Sequence, residues 1–334
     1  MSSEELKTLV APGPHIHAGF TKDRWMLGTL VAMVPLVALG GAALGWPGLI
    51  HPLVGLAVAC AAHFLLLSVE RWGLKVVLHP SFASSAVAGL IAGLSVLAIT
   101  PYAVTAGIAA LAIFIKFVQG WLFGRKYLNP VATAKALLLL AMTAAVGLER
   151  GLILHPHHLE WVDMWTKEGF TASLWFLATG RWDPGLSLLL WKQHSWIGGV
   201  SGIATLMAGF LATWRLRLKW RISLAFLGTM AALALVFAGI TGGAILWRLA
   251  FHLFTGSVIF LAFFMATEPQ STPMSAGGQY LFGLGLGILT FFLQQINVLG
   301  SSVLALVAMN LLTPLLDKVG LGRPVGAKRS ARAA

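Results

Sequence analysis

Ten runs of 17 to 21 predominantly apolar residues recur from one end of this 334-residue chain to the other, and they constrain its fold more than any motif does. A run of that length crosses a bilayer as an α-helix, the one open-ended structure that pairs its own backbone groups in lipid. The runs fall near 25–45, 53–69, 83–99, 101–118, 131–148, 197–213, 220–240, 249–267, 280–296 and 298–316. Charge is correspondingly scarce, with 10% of residues Asp, Glu, Lys or Arg against roughly 25% in soluble domains. The sequence predicts an all-α polytopic membrane protein of about ten transmembrane helices. It excludes a water-soluble enzyme, and the lipid bilayer becomes the chain's first partner.

Cations set the orientation. With a cytoplasmic N-terminus, 17 of the 23 Lys and Arg residues fall on the inner side, while Arg150, Lys167, Arg181, Lys192 and Arg248 fall outside. Both termini are therefore expected in the cytoplasm. The remaining cation, Lys135, opens the fifth run and is expected to snorkel to the inner face. The net charge of +12 would suggest nucleic acid in a soluble protein, but here it follows from loop placement and no nucleic acid is expected. The first run follows a 24-residue polar segment and is followed by nine more runs, a pattern unlike a cleaved signal peptide.

Runs one to five (25–148) and six to ten (197–316) are of nearly equal length, and five is odd. Two such halves would insert in opposite senses, as two inverted five-helix repeats. Leu97-Ala98-Ile99-Thr100-Pro101 after the third run echoes Met265-Ala266-Thr267-Glu268-Pro269 after the eighth. The predicted organisation is a cytoplasmic arm (1–24), the first repeat, an outer loop (149–196), the second repeat and a basic cytoplasmic tail (317–334). The outer loop holds six of the thirteen tryptophans, which suit a segment lying on the outer leaflet as a linker, a lid or a cofactor platform.

The chemistry that the runs lack is informative. Glu70, Glu268 and Asp317 all stand at helix ends, so no run carries a mid-span carboxylate of the kind that ion-coupled carriers keep. One cysteine, Cys60, excludes a disulfide framework and an iron–sulfur cluster held by this chain alone. His63 and His252 are the only span histidines placed for haem, and interfacial or hydrogen-bonded roles suit them better, so no haem is expected. His155, His157 and His158 read as outer-loop polar residues, and no metal site is assigned.

Two inner-side stretches carry more information. In Gly124-Arg125-Lys126-Tyr127-Leu128-Asn129-Pro130-Val131-Ala132, Asn before Pro is an N-cap with Pro at the first helical position. In Phe264-Met265-Ala266-Thr267-Glu268-Pro269, an acid sits at a helix C-terminus, where the helix dipole disfavours it. A cation, a partner protein or a ligand should offset Glu268. Asn129 and Glu268, supported by Pro130, Thr267 and Pro269, are the candidate inner-face functional or docking residues. No catalytic residue is assigned.

These stretches, with Pro14-His15-Ile16 before the first run, Ile197-Gly198-Gly199-Val200-Ser201 and Trp220-Arg221-Ile222, resemble the RnfD/NqrB family. Its members are membrane components of Rnf electron-transport complexes and of the sodium-translocating NADH:quinone reductase. The likeness runs in the same order over nearly the whole chain. It implies a ten-helix inverted-repeat component of a bacterial inner-membrane complex, with partner subunits supplying the NADH site and iron–sulfur centres. It also implies flavin mononucleotide (FMN) bonded to a threonine of a Ser-Gly-Ala-Thr motif on the outer side. This chain has no Ser-Gly-Ala-Thr; the nearest material is Gly169-Phe170-Thr171-Ala172-Ser173-Leu174, where Thr171 or Ser173 would have to accept the phosphoester. Noncovalent FMN, riboflavin or quinone between helices stays open, as does plain helix packing for the glycines of the ninth run.

The expected function is therefore a membrane subunit, not catalytic alone, of an ion-translocating oxidoreductase complex. Two alternatives are a standalone inverted-repeat transporter for a vitamin-like solute and a flavin-less subunit retained for assembly.

Overall fold

The computed structural model describes residues 22–71, 82–124, 126–146, 195–216, 218–241, 245–256, 258–294 and 300–319. Their chain order is α1 (Lys22–Leu44), α2 (Trp46–Arg71), α3 (Phe82–Leu94), α4 (Tyr102–Phe123), α5 (Pro130–Val146), a 3-10 turn (Ile197–Gly199), α6 (Gly202–Leu216), α7 (Trp220–Thr241), α8 (Ile245–Phe254), α9 (Val258–Phe260), α10 (Ala276–Leu293) and α11 (Ser301–Leu316). α9 runs directly into a π-turn, Leu261–Met265. Among the described residues there is no named strand, only an isolated bridge between Ser195 and Gly256. α1, α2, α4, α7 and α10 are long and apolar enough to cross a membrane, while α3, α5, α6 and α11 are shorter apolar helices.

Close helix packing rests on small residues. A Cβ on Gly89 of α3 would fall on the Gly55 carbonyl of α2, and one on Gly93 would fall on the His51 carbonyl. In the other half, Gly283 and Gly287 of α10 meet Ile222, Phe226 and Thr229 of α7 in the same way. Without a hydrophobic force between helices in lipid, backbone approach of this kind is what holds them together. The α10 glycines are thus used in helix contact.

Three expected spans are corrected. The run 83–99 is helical only to Leu94. The Ser95 hydroxyl turns back to the Ala92 carbonyl, and Thr100 precedes a proline that disfavours helical backbone. The run 249–267 is broken, because Thr255 leaves the helix and Gly256 adopts a left-handed φ of 70°. The sixth helix starts at Gly202, with Ile197–Gly199 forming a separate 3-10 turn before it.

The two breaks meet. The Ile197 amide donates to the Val96 carbonyl at 2.9 Å, and the Ser195 hydroxyl donates to the Gly256 carbonyl. The segment that opens the second half therefore pairs with the unwound end of α3 and with the α8–α9 break at once. Buried amides and carbonyls released by unwinding need such partners.

Lys135 also departs from expectation. Its side chain is 2% exposed, donates to the Ser95 carbonyl and lies over the Trp196 ring, 3.2 Å from the centroid. It points into the bundle and does not snorkel to the inner face.

Candidate inner-face site

The site begins with a helix start. Asn129 caps α5: its side-chain oxygen accepts from the Ala132 amide at 3.0 Å, and Pro130 takes the first helical position. The Asn129 carboxamide nitrogen is then free to point away from α5, and it donates to the Met265 carbonyl at 3.0 Å. The Asn129 amide donates to the Asn310 side chain of α11 at 2.9 Å, and Asn310 in turn donates to the Ser271 carbonyl at 2.9 Å. One short turn thus joins both halves of the chain through polar groups that are buried throughout.

The opposing wall is the end of α9. In its π-turn the Ala266 amide reaches the Leu261 carbonyl at 2.8 Å, five residues back, and the displaced Ala262 carbonyl accepts from Ser223 of α7 at 2.6 Å. A π-turn is rare and is frequently found at functional sites. The chain then turns through Thr267, Glu268 and Pro269. The Lys219 ammonium holds this turn by bonds to the Pro269 carbonyl at 3.0 Å and to the Thr272 carbonyl and hydroxyl at 2.8 and 2.9 Å.

Glu268 meets its offsetting charge here. The Lys126 ammonium lies 2.9 Å from the Glu268 carboxylate, and the two side chains are 12% and 16% exposed. Ser271 donates to the other carboxylate oxygen at 3.1 Å. The ion pair and hydroxyl compensate an acid placed at the negative end of a helix.

Asn129, Pro130, Thr267, Glu268 and Pro269 all line one cavity of about 60 Å³. Trp25, Met26 and Thr29 of α1 and Ser84, Val87 and Ile91 of α3 close its other side, with Phe263 and Phe264 behind. The walls are mostly apolar, and the ion pair stands at the rim. The volume suits a few waters at roughly 15 Å³ each, against about 300–1,000 Å³ for cofactor-sized sites.

The structure thus brings together the five residues that the sequence reading expected on the inner face. Thr171 and Ser173 lie outside the described residues, as do Pro14-His15-Ile16 and the three outer-loop histidines. His63 and His252 are engaged separately: His63 shares a hydrogen bond with Ser85 at 2.7 Å, and His252 shares one with Gln294 at 2.8 Å. Among the described residues no three His, Cys, Asp or Glu side chains converge on a point.

Sequence reasoning missed Lys126, Lys219 and Asn310 as parts of this site. Asn310 carried a usable signal, since an amide deep in an apolar run is costly unless it is paired. Lys126 and Lys219 read only as inner-side cations. Nothing in their spacing reveals that Lys126 faces a residue 142 positions away.

These features define a polytopic helical membrane protein whose two halves close on a polar junction. The chain belongs to the NQR2, RnfD, RnfE family, whose model matches residues 9–326. It is 26% identical to the subunit designated D in the sodium-translocating ferredoxin:NAD+ oxidoreductase complex of Acetobacterium woodii, over 98% of this chain and 99% of that one. It is 29% identical to the subunit designated D in an ion-translocating oxidoreductase complex of Pseudomonas paraeruginosa, over 97% and 98%. The corresponding protein of the proton-translocating ferredoxin:NAD+ oxidoreductase complex of Clostridium ljungdahlii is 24% identical over 92% and 93%.

Proposed function

We propose that this chain is the integral membrane subunit of an electron-transfer complex that couples electron flow to ion movement. It works with other membrane and peripheral subunits, which supply the soluble-substrate site and the iron–sulfur centres. The complex resides in a bacterial inner membrane, and both termini of this chain face the cytoplasm. The observation that carries this reading is the inner-face junction: Asn129-Pro130 and Thr267-Glu268-Pro269, two of the stretches that resemble the family, close on one cavity. The family match from residue 9 to 326 supports it over the whole length.

In this reading the chain is two inverted five-helix repeats. The echoing segments support that symmetry in their local geometry, since the Leu97 carbonyl accepts from Thr100 at 3.0 Å and the Met265 carbonyl accepts from Glu268 at 3.4 Å. Asn129 and Glu268 serve as docking or positioning residues on the cytoplasmic side, with Pro130, Thr267 and Pro269 shaping the turn around them. The chain lacks the Ser-Gly-Ala-Thr motif, so covalent FMN would have to be attached at Thr171 or Ser173. Riboflavin, FMN or quinone, where the chain binds one noncovalently, is held between helices.

The test is extraction of the tagged chain from its native membranes in mild detergent, with identification of what accompanies it. Co-purification with iron–sulfur and flavoprotein subunits is expected, together with electron-transfer activity that is lost on deletion of the chain. A chain that purifies alone and moves a solute in liposomes would replace this reading with a standalone transporter. A chain that assembles the complex but whose cofactor-free core can be bypassed would reduce it to an assembly subunit.

A further inference from the structure

We propose that the short connection between α6 and α7 binds the phosphate headgroup of an anionic phospholipid of the inner leaflet, through Arg215 and Arg221. This goes beyond the complex assignment and does not rest on it, because the patch and its test belong to the chain alone.

The sequence concentrates charge at this connection. Arg215, Arg217, Lys219 and Arg221 fall within seven residues, and no Asp or Glu occurs from 184 to 267. Cations on the cytoplasmic side are general in membrane proteins, but what neutralises them differs from one connection to the next. Between α4 and α5, Lys126 is paired with Glu268. Between α6 and α7, Lys219 is spent on the Pro269 and Thr272 carbonyls. Arg215 and Arg221, by contrast, meet no carboxylate among the described residues.

Tertiary packing turns these two charges outwards. Leu216 and Leu218 are buried, Leu216 against Gly28 of α1 and Leu218 in the wall of the inner cavity. The Leu218 amide donates to the Thr213 carbonyl at 3.2 Å and closes the end of α6. With the leucines anchored in the protein, Arg215 is exposed and Arg221 is half-buried where α7 begins.

Aromatic rings set the level of the patch. Trp214 is 73% exposed and Trp220 46%, and indole rings collect at the headgroup level of a bilayer. The Arg221 guanidinium lies over the Trp220 ring, 5.0 Å from its centroid, and Tyr280 of α10 meets that ring edge-on at 6.5 Å. A guanidinium lying on an indole keeps its planar fork of N–H groups for phosphate oxygens. From this level exposed apolar side chains continue along both helices: Met207, Phe210 and Leu211 on α6, and Leu224 one turn beyond Trp220 on α7. Cations, rings and apolar side chains thus follow one another in the order in which a phospholipid presents phosphate, glycerol and acyl chains. An acidic protein surface would match the arginines but not the apolar side chains beside them. A zwitterionic lipid would match the apolar side chains but bring a cation of its own against the arginines.

The test is thermal unfolding of the delipidated full-length chain in detergent as phosphatidylglycerol, phosphatidylcholine or inorganic phosphate is added at constant ionic strength. Phosphatidylglycerol should raise the unfolding temperature saturably, by about 2 °C or more, and the other two should not. Arg215→Gln/Arg221→Gln should need about 30 times more phosphatidylglycerol for half of the effect, at roughly fivefold for each charge removed. Arg323→Gln/Lys328→Gln, which removes two cations of the tail, should need the same amount as wild type. A wild type that responds to phosphatidylcholine as it does to phosphatidylglycerol, or to neither, overturns the proposal. So does inorganic phosphate acting as well as the lipid, or a tail variant weakened as much as the α6–α7 variant, since attraction to diffuse charge would then account for the binding. Should the double variant fail to fold, Arg215→Gln and Arg221→Gln singly, each expected to be about fivefold weaker, decide together with the wild-type comparison.

Discussion

The Asn129 carboxamide donates to the Met265 carbonyl at 3.0 Å across 136 residues of chain, while the same side chain caps α5 through its oxygen. One residue thereby fixes the start of a helix in the first half against the π-turn of the second. The bond explains why an N-cap that looked purely local also belongs to the inner-face site.

Asn129→Ala should destabilise the protein by about 1–3 kcal/mol, the sum of a lost cap and a lost buried hydrogen bond to a carbonyl that keeps its longer bond from the Glu268 amide. Asn129→Ser should restore about 1 kcal/mol of that, since its hydroxyl can cap α5 but is too short to reach Met265. Thermal unfolding of both variants in detergent checks the order wild type, Ser, Ala; a serine variant no better than alanine would show that the cap contributes nothing.

The Lys126–Glu268 pair is nearly buried, so breaking it from one side leaves a charge unmatched. Lys126→Met should cost about 1–3 kcal/mol, and the double variant Lys126→Met/Glu268→Gln should cost less than that single change. A double-mutant cycle on unfolding temperature measures this. In native membranes, Glu268→Gln should lower electron transfer or block assembly, and normal turnover with an intact complex would remove Glu268 from the site.

Gly93→Ala should prevent normal packing of α3 on α2, because its Cβ would meet the His51 carbonyl and neither backbone can yield. Gly120→Ala in α4 is the contrast: nothing lies within 4 Å of the new Cβ, and a helical alanine gains about 0.5–1 kcal/mol over glycine. Expression and unfolding temperature of the pair should move in opposite directions.

An acid-denatured gel under ultraviolet light, with intact-mass analysis, should give a non-fluorescent band of unmodified mass. A fluorescent band heavier by one FMN would instead make the outer loop a redox platform, and peptide mapping would then choose between Thr171 and Ser173.

A fluorescent-protein fusion to the C-terminus should be bright and an alkaline phosphatase fusion at the same point inactive, since 17 cations mark the side on which that terminus lies. The reverse pattern would invert the topology and move Asn129 and Glu268 to the outer face.

Much of the architecture was readable in the residues because the bilayer imposes it. Apolar runs of one thickness predict helices, cation placement predicts their sense, and an acid at the end of a helix announces a partner without naming it. Thr267-Glu268-Pro269 stood out for this reason and Asn129-Pro130 as a helix cap, and the fold brings them to one cavity. Hydropathy failed at Ser95–Thr100 and Thr255–Gly256, where apolar composition continues but the helix does not. It also failed at Lys135, whose place at the edge of a run suggested an escape to the inner face.

By itself, then, the sequence determined that the chain is helical and apolar enough for a membrane, and it predicts which side carries the charge, since both rest on transfer free energies that are local and additive. Only the tertiary structure decided where the helices break, that Ile197 and Ser195 bind both breaks, that Lys126 answers Glu268, and that Lys135 turns inward to Ser95 and Trp196. Each of these depends on pairing a backbone carbonyl or a buried charge with a group far away in the chain. No hydropathy pattern records such a pairing, because its energy exists only once the two halves have met.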